Sequence, residues 1–488
     1  MYVMIHDKLS DFIENYFLTN RESMGLISAG ISNKTRDNKP TGGVSITFTV
    51  VSKSSKADVQ IPESLKFNDV TYLTDVVERD IQYNEHAYCH NLASATVNKH
   101  RKLTRISDGR YMETRQPGMS VNNHTHSINE YTKSRSLTNA LKIGTLGGFA
   151  VDNQDGKLIG MSNNHVFTPG FFSADLQADE HVNYANDSIV SPGDEQVIFN
   201  DAGTKIISNH GHMTKNKTTV IDGAEYRLGR VKRSIPHRFT GNEIDAAICS
   251  VEIDLAPNDN KRRIKQDTTS NAVDSYTPIG ASFKHAINWA TSDEIDNMVL
   301  GEDGVKLFKS SRTTGAVGAP GADNSAACEL FCDSISFTSF VSGKGYKNLI
   351  QYKGKNGVDP STGGDSGSWV YAFISDEWKV IGMHMAGGTD FRSGEDHALA
   401  CRIDRIRELL DVSPWINPTR LPYAAKRDQE DQYCYKPNAT YATIQGHSSE
   451  PVILIDGKKY YQTGRTVDKP THIIDGVDGG VPVAKPRV

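Results

Sequence analysis

The chain has 488 residues, 23% of them charged, and a formal net charge of −5. That length suits two or three domains with a well-filled core, and the near-balanced charge excludes the basic footprint of a nucleic-acid binder or of a polybasic membrane-surface protein. No apolar run reaches membrane-spanning length, and the start Met1-Tyr2-Val3-Met4-Ile5-His6 lacks the apolar core of a secretory leader, so a cytoplasmic location is expected.

In chain order, Ile5, Leu9, Phe12, Ile13, Tyr16 and Phe17 recur at helical spacing and predict an amphipathic helix over 5–20. Val44-Ser45-Ile46-Thr47-Phe48-Thr49-Val50-Val51 alternates as a strand. Residues 1–112 are therefore expected to form a small α+β domain. Over 113–412 the pattern changes to short β-runs separated by turns. Phe149-Ala150-Val151, the turn cluster Asp152–Gly156 and Leu158-Ile159-Gly160-Met161 read as a hairpin that delivers His165 from a strand end. Val380–Met385 reads as a further strand, and Asp404–Leu410 as a closing helix. Many short strands with Gly-rich turns favour a barrel or sandwich. Residues 413–488 form a C-terminal extension with one hairpin-like stretch, Val452–Tyr461, and a Gly/Pro/Asp-rich end expected to be poorly ordered. There is no internal repeat.

Chemistry concentrates in three segments. Gly363-Gly364-Asp365-Ser366-Gly367-Ser368 reads as a tight loop that exposes a nucleophilic Ser366 hydroxyl, with the N–H groups of Gly364 and Ser366 turned toward one point. Such a serine needs a base, and the base needs an orienting acid. His165 in Ser162-Asn163-Asn164-His165-Val166 supplies the first. Asp245, followed by the apolar Ala246-Ala247-Ile248, supplies the second: a carboxylate in a buried segment needs a partner, and an imidazole N–H is a fitting one. The competing readings are a fortuitous tight turn for Ser366, a capping or buried histidine for His165, and a solvated strand-edge carboxylate for Asp245.

The order His165, Asp245, Ser366 and the three surrounding motifs resemble the trypsin-like, chymotrypsin-fold serine peptidases. The resemblance is nearest to an intracellular branch of bacteria and of the narrow-leaf type in plants. Gly144-Thr145-Leu146-Gly147-Gly148, Arg312-Thr313-Thr314-Gly315, Ile61-Pro62 and Thr74-Asp75-Val76-Val77-Glu78 extend it over roughly residues 25–412. It implies a mainly β fold in which 113–412 form a two-β-barrel peptidase domain, with the catalytic triad His165, Asp245 and Ser366 and an oxyanion hole at Gly364 and Ser366. In secreted relatives a disulfide lies beside the catalytic histidine; here Val166 follows His165, and that bridge is absent. The six cysteines, Cys89, Cys249, Cys328, Cys332, Cys401 and Cys434, are scattered and fit inert thiols in a reducing compartment. In those relatives the aspartate of the serine loop pairs with a newly freed N-terminus. No Ile-Val-Gly-Gly-like sequence precedes the domain here, so Asp365 is expected to have another partner.

The same resemblance marks Gly382-Met383-His384 and Gly387 as the strand lining the primary specificity pocket, with Ser361 on its other wall. The pair His384 and Ser361 is similar to that of glutamyl endopeptidases, and an imidazole and a hydroxyl can both bind a carboxylate or carboxamide. Pro360 stands where Lys/Arg specificity would need an aspartate. A core histidine under the barrel is the competing reading of His384. His86, Cys89 and His90 cluster without a second set of zinc ligands, and the run from Asp475 lacks the later glutamate of a calcium loop, so no metal and no cofactor is expected. The expected function is an intracellular serine endopeptidase acting on a protein or peptide substrate, expected to be a dedicated partner protein, with no nucleic acid or membrane involved. The alternatives are an inactive scaffold of the same fold, or an esterase on the same triad.

Overall fold

The helical spacing near the N-terminus folds as α1, Asp7–Met24, somewhat longer at its C-terminal end than its apolar stripe predicts. Leu9, Ile13 and Phe17 are wholly buried at i, i+4 and i+8, each contributing about 1.5–3 kcal/mol of burial. The structure is a computed structural model and describes residues 7–36, 39–52, 61–85, 114–115, 117–126, 142–169, 187–191, 195–199, 205–209, 227–235, 237–251, 263–264, 278, 288–318, 329–355, 358–414, 440–443, 451–455, 458–462 and 470–473. His86, Cys89, His90, Cys328, Cys434 and the run from Asp475 lie outside the described residues.

After α1 come β1 (Leu26–Arg36), β2 (Lys39–Val50), β3 (Ser64–Phe67), β4 (Val70–Glu78) and the short β5 (Asn84–Glu85). β1 and β2 form an antiparallel pair with Ile31 opposite Ile46, and β4 runs parallel to β2. Phe12 and Tyr16 of α1 lie against Phe67 and Phe48, with ring centroids 5.0 and 5.1 Å apart.

The chain then builds a first rolled sheet from β6 (Ser120–Asn123), β7 (Ile143–Thr145), β8 (Gly148–Asp152), β9 (Leu158–Ser162), β10 (Ser188–Val190), β11 (Arg227–Ser234) and β12 (Ala247–Ser250). The spatial order is β8-β9-β12-β11-β10-β6-β7. β7 and β8 are nearly continuous, and the Gly147 N–H between them donates to the Met161 carbonyl of β9 at 2.9 Å. The sheet's two ends thereby meet. The β8–β9 hairpin is the one its two short apolar runs and the turn cluster between them predict, with Leu158 opposite Val151.

A second barrel follows: β13 (Lys306–Ser311), β14 (Leu330–Val341), β15 (Lys344–Gly354), β16 (Trp369–Ile374), β17 (Glu377–Thr389) and β18 (Asp396–Arg402). Its order is β13-β16-β17-β18-β15-β14, and a β13–β14 pairing closes the ring. The molecule is thus mainly β, with two barrels. β1 pairs with β14, Ala29 opposite Thr338, so the N-terminal strands extend the second barrel's sheet.

Helices are short outside α1. A single turn, α2 (Asn164–Phe167), follows β9, so His165 sits one turn beyond the strand end. α3 (Ser292–Asp296) begins with a Thr291/Glu294 capping box, and α4 (Ile403–Leu409) closes the second barrel as expected. Buried Arg402 ties these last two together through Asp296 at 2.5 Å and Asp404 at 2.8 Å. In the C-terminal extension, strands Pro451–Ile455 and Lys458–Gln462 pair antiparallel where the sequence predicts a hairpin. No described helix is long and apolar enough to cross a membrane.

Candidate active site

The end of β9 and the turn α2 bring His165 to Asp245, which lies just before β12. His165 Nδ1 bonds Asp245 Oδ2, and the His165 backbone N–H donates to Asp245 Oδ1 at 3.1 Å. Asn163 donates its side-chain N–H to the Asp245 carbonyl at 2.5 Å, so two residues of Ser162-Asn163-Asn164-His165 hold the same aspartate. The Asp245 backbone N–H donates to Cys401 Sγ at 3.1 Å, which anchors the first barrel's aspartate on β18 of the second. Burial alone would push the Asp245 carboxyl up; the facing imidazoles of His165 and His237 outweigh it and hold it well below the ordinary range. For His165, burial disfavours the imidazolium, but the adjacent Asp245 charge prevails and raises its pKa above the usual value.

Ser366 lies in the loop between β15 and β16. Gly364 and Gly367 adopt φ of +96° and +95°, the left-handed region where a side chain would be strained. The Gly144–Gly148 motif clamps this loop. The Thr145 N–H donates to the Ser366 carbonyl at 2.7 Å, and its hydroxyl donates to the Gly364 carbonyl at 2.8 Å. A Cβ on Gly144 would fall 2.5 Å from Val166 Cγ2 and 2.8 Å from the Ser366 carbonyl, so the histidine turn and the serine loop converge on this glycine. Ser366 Oγ donates to the Met385 carbonyl of β17 at 3.3 Å, while His165 Nε2 has no hydrogen-bond partner. The Ser–His hydrogen bond of a working triad is therefore not made in this resting arrangement. Ser366 is 0% exposed and His165 5%.

Asp365 has a partner within the chain. Lys309 of β13, itself 0% exposed, donates from Nζ to Asp365 Oδ2 at 2.7 Å. The Arg312-Thr313-Thr314-Gly315 motif supplies three further donors: the N–H groups of Thr313 and Thr314 donate to Oδ1, and the Thr314 hydroxyl donates to Oδ2, which also accepts from the Thr362 N–H at 3.0 Å. Burial opposes the charge, but the Lys309 ammonium overrides it and drives the Asp365 carboxyl far below its ordinary pKa.

Of the residues expected in the specificity pocket, His384 and Gly387 lie on β17, and Ser361 lies five residues before Ser366. His384 is wholly buried, with Nδ1 2.8 Å from the Tyr352 hydroxyl; Ser361 is also buried. Gly387 pairs with Asn84 of β5, and Ala386 with Glu85.

Reading the sequence did not bring Lys309, His237, Lys344, Tyr352 or Glu85 to the site. His237 Nε2 lies 3.0 Å from Asp245 Oδ1, and its Nδ1 lies 2.9 Å from Lys344 Nζ, which in turn donates to Glu85 Oε1 at 2.7 Å. The only forewarning was the rule that a buried carboxylate must be partnered. Glu85, His165 and Asp245 offer ligand atoms within 4.8 Å of one another. The three are spoken for: His165 and Asp245 bond each other, and the Lys344 ammonium on Glu85 opposes a second cation.

No protein-family model matches the chain, and no curated protein matches it. Among solved structures, it is similar to a glutamic acid specific serine protease described as using a histidine triad in substrate binding. That match has a TM-score of 0.32 and 12% identity, and covers 62% of this chain and all of that one. It is likewise similar to a Nocardiopsis protease (0.30, 11%, 62% of this chain and 99% of that one) and to Thermobifida fusca protease A (0.28, 12%, 56% and 91%). Likenesses this distant assign no activity, and the site is read from its own geometry.

Replacing Lys309 by Met leaves the Asp365 charge buried without its cation, and the fold should lose about 3–5 kcal/mol. In the unaltered protein, the depressed Asp365 pKa means that its stabilisation is present above the ordinary aspartate value of about 3.9 and is lost as pH falls below it. Urea unfolding at pH 7 and pH 3 measures both. An unchanged midpoint for the variant at pH 7 would contradict the assignment.

Proposed function

We propose that the chain is a serine endopeptidase working through an acyl-enzyme. The single observation that carries this reading is the buried pair His165–Asp245, oriented through Nδ1 with Nε2 left unbonded, beside a serine held in a clamped, left-handed loop. With Nδ1–H committed to Asp245, Nε2 bears the lone pair and is the general base. It takes the proton from Ser366 Oγ as the oxygen attacks the scissile carbonyl, and later returns it to the leaving amine. This requires the Ser366 hydroxyl to turn from the Met385 carbonyl to Nε2; such hydrogen bonds commonly tighten only with substrate present. In the serine loop, the Asp365, Gly367 and Ser368 N–H groups donate to backbone carbonyls, whereas those of Gly364 and Ser366 do not among the described residues. That pattern supports Gly364 and Ser366 as the oxyanion donors.

For specificity, His384 Nδ1 lies 2.8 Å from the Tyr352 hydroxyl; with that hydroxyl as the donor, the ring proton sits on Nε2, from which it can be donated to a carboxylate or carboxamide. With the Ser361 hydroxyl as a second donor, the site would prefer glutamate or glutamine before the cleaved bond. The inactive scaffold and the esterase remain the competing readings, and the burial of Ser366 is what the scaffold reading draws upon.

A fluorophosphonate should label Ser366 in the unaltered chain and fail to label Ser366→Ala, whose hydrolysis of denatured protein substrate should fall by several orders of magnitude. Equal turnover of the two proteins ends the peptidase reading. Ester turnover without peptide turnover would favour the esterase.

Peptide-library profiling should show Glu or Gln before the cut. His384→Ala should lower turnover of those peptides far more than of others, by roughly 1–3 kcal/mol for each polar group left unpaired. A profile dominated by Lys, Arg or large apolar residues would reject this specificity.

A further inference from the structure

Asp245 carries two histidines. His237, 1% exposed, faces the carboxylate oxygen opposite the His165 ring bond. Its tautomer follows from its neighbours. Lys344 Nζ is a donor only, so His237 Nδ1 must accept from it, and the ring proton must sit on Nε2, directed at Asp245 Oδ1. Asn164 Nδ2, 3.3 Å from the same nitrogen, has no lone pair to receive it. We propose that His237 is a positioning residue for the reaction, acting through Asp245: a neutral imidazole that Lys344 locks as a donor, so that the carboxylate is held in register with His165. This rests on the peptidase reading of the site.

The electrostatic consequence has a sign. A donor on Oδ1 draws charge from the carboxylate and weakens its pull on the His165 proton; removing it should raise the pKa of His165. The other titratable groups facing the pair are Glu85 and Lys344, which form an ion pair with each other, and Tyr346 and Cys401, which burial pushes well above their usual values.

The test is the titration of the His165 Nδ1–H resonance by NMR on the full chain. In His237→Leu it should move up by about one unit. In His237→Gln, whose amide can accept from Lys344 and donate to Asp245, it should return toward the original value. Lys344→Met, at the more exposed end of the network, should also move it up, and keeps the test available if His237→Leu does not fold. An unmoved His165 titration in the folded variants overturns the proposal, even where melting temperature falls, because a purely structural role predicts that result. Since the readout needs no turnover, absence of hydrolysis by the unaltered chain counts against the peptidase reading and leaves this test standing.

A separate observation carries a second inference. Residues 80–85 run along the edge of β17. The Phe391 N–H donates to the Asp80 carbonyl at 2.9 Å, and the edge continues through the Asn84–Gly387 and Glu85–Ala386 pairs. Met385, the next residue of β17, is where the Ser366 hydroxyl rests. An extended peptide approaching Ser366 would add as a strand to this same edge. We infer that the chain's own β5 occupies the place of a substrate strand and holds the enzyme closed until displaced. The full burial of Ser366 agrees with it. This too rests on the peptidase reading.

The probes are a small fluorophosphonate and a tripeptidyl phosphonate ending in glutamate. Asn84→Pro removes a strand N–H, and an inserted site-specific protease sequence after residue 95 allows the intact chain to be nicked. Either change should speed peptidyl labelling at least tenfold. If the small probe labels Ser366 but neither change alters the peptidyl rate, the occupancy proposal is overturned. If neither probe labels any form, the peptidase reading itself fails.

Discussion

The Asp245 carboxylate is an anion with no solvent contact, and moving such a charge out of water costs several kcal/mol unless its oxygens are filled. Oδ1 accepts from the His165 backbone and from His237, and Oδ2 from the His165 ring. Those donors come from the turn after β9 and from the loop before β12, so satisfying one charge fixes two segments of the first barrel against each other. The Cys401 sulfur on the Asp245 N–H extends the constraint to the second barrel. Any movement that separated the barrels here would break this contact and leave the buried Asp245 N–H without its acceptor.

Asp365 repeats this logic on the other side of the cleft. Its charge is balanced by Lys309 and by three donors from Thr313 and Thr314, and it lies immediately before Ser366. The left-handed backbone at Gly364 and Gly367 is thereby held by a buried ion pair drawn from within the chain. The loop is thus held in shape by interactions on its own barrel.

The two anions are linked to the periphery differently. Asp365 ends in the core of the second barrel. Asp245 leads outward through His237 and Lys344 to Glu85, at the end of the N-terminal strand that lies along β17. The N-terminal segment is therefore part of the electrostatics of the site as well as an extension of the sheet through β1 and β14. Its strands could not serve that end if they folded against α1 alone.

Much of this was legible in the amino-acid order. Short apolar runs and their turn cluster specified the β8–β9 hairpin and the β17 strand, and helical spacing specified α1, because side-chain patterning against a core is a short-range property. Gly-Asp-Ser-Gly and the two upstream motifs marked Ser366, His165 and Asp245, since tight turns and buried carboxylates carry local signatures. The rule that a buried charge needs a partner also required one for Asp365, without saying which. That Lys309 is that partner, that His237 shares Asp245, and that Glu85 reaches the centre from 80 residues before His165 depended on strand pairings between distant segments. A lysine in a strand or a histidine in a loop looks the same in sequence whether it faces water or a buried anion; only the closing of the barrels decides which.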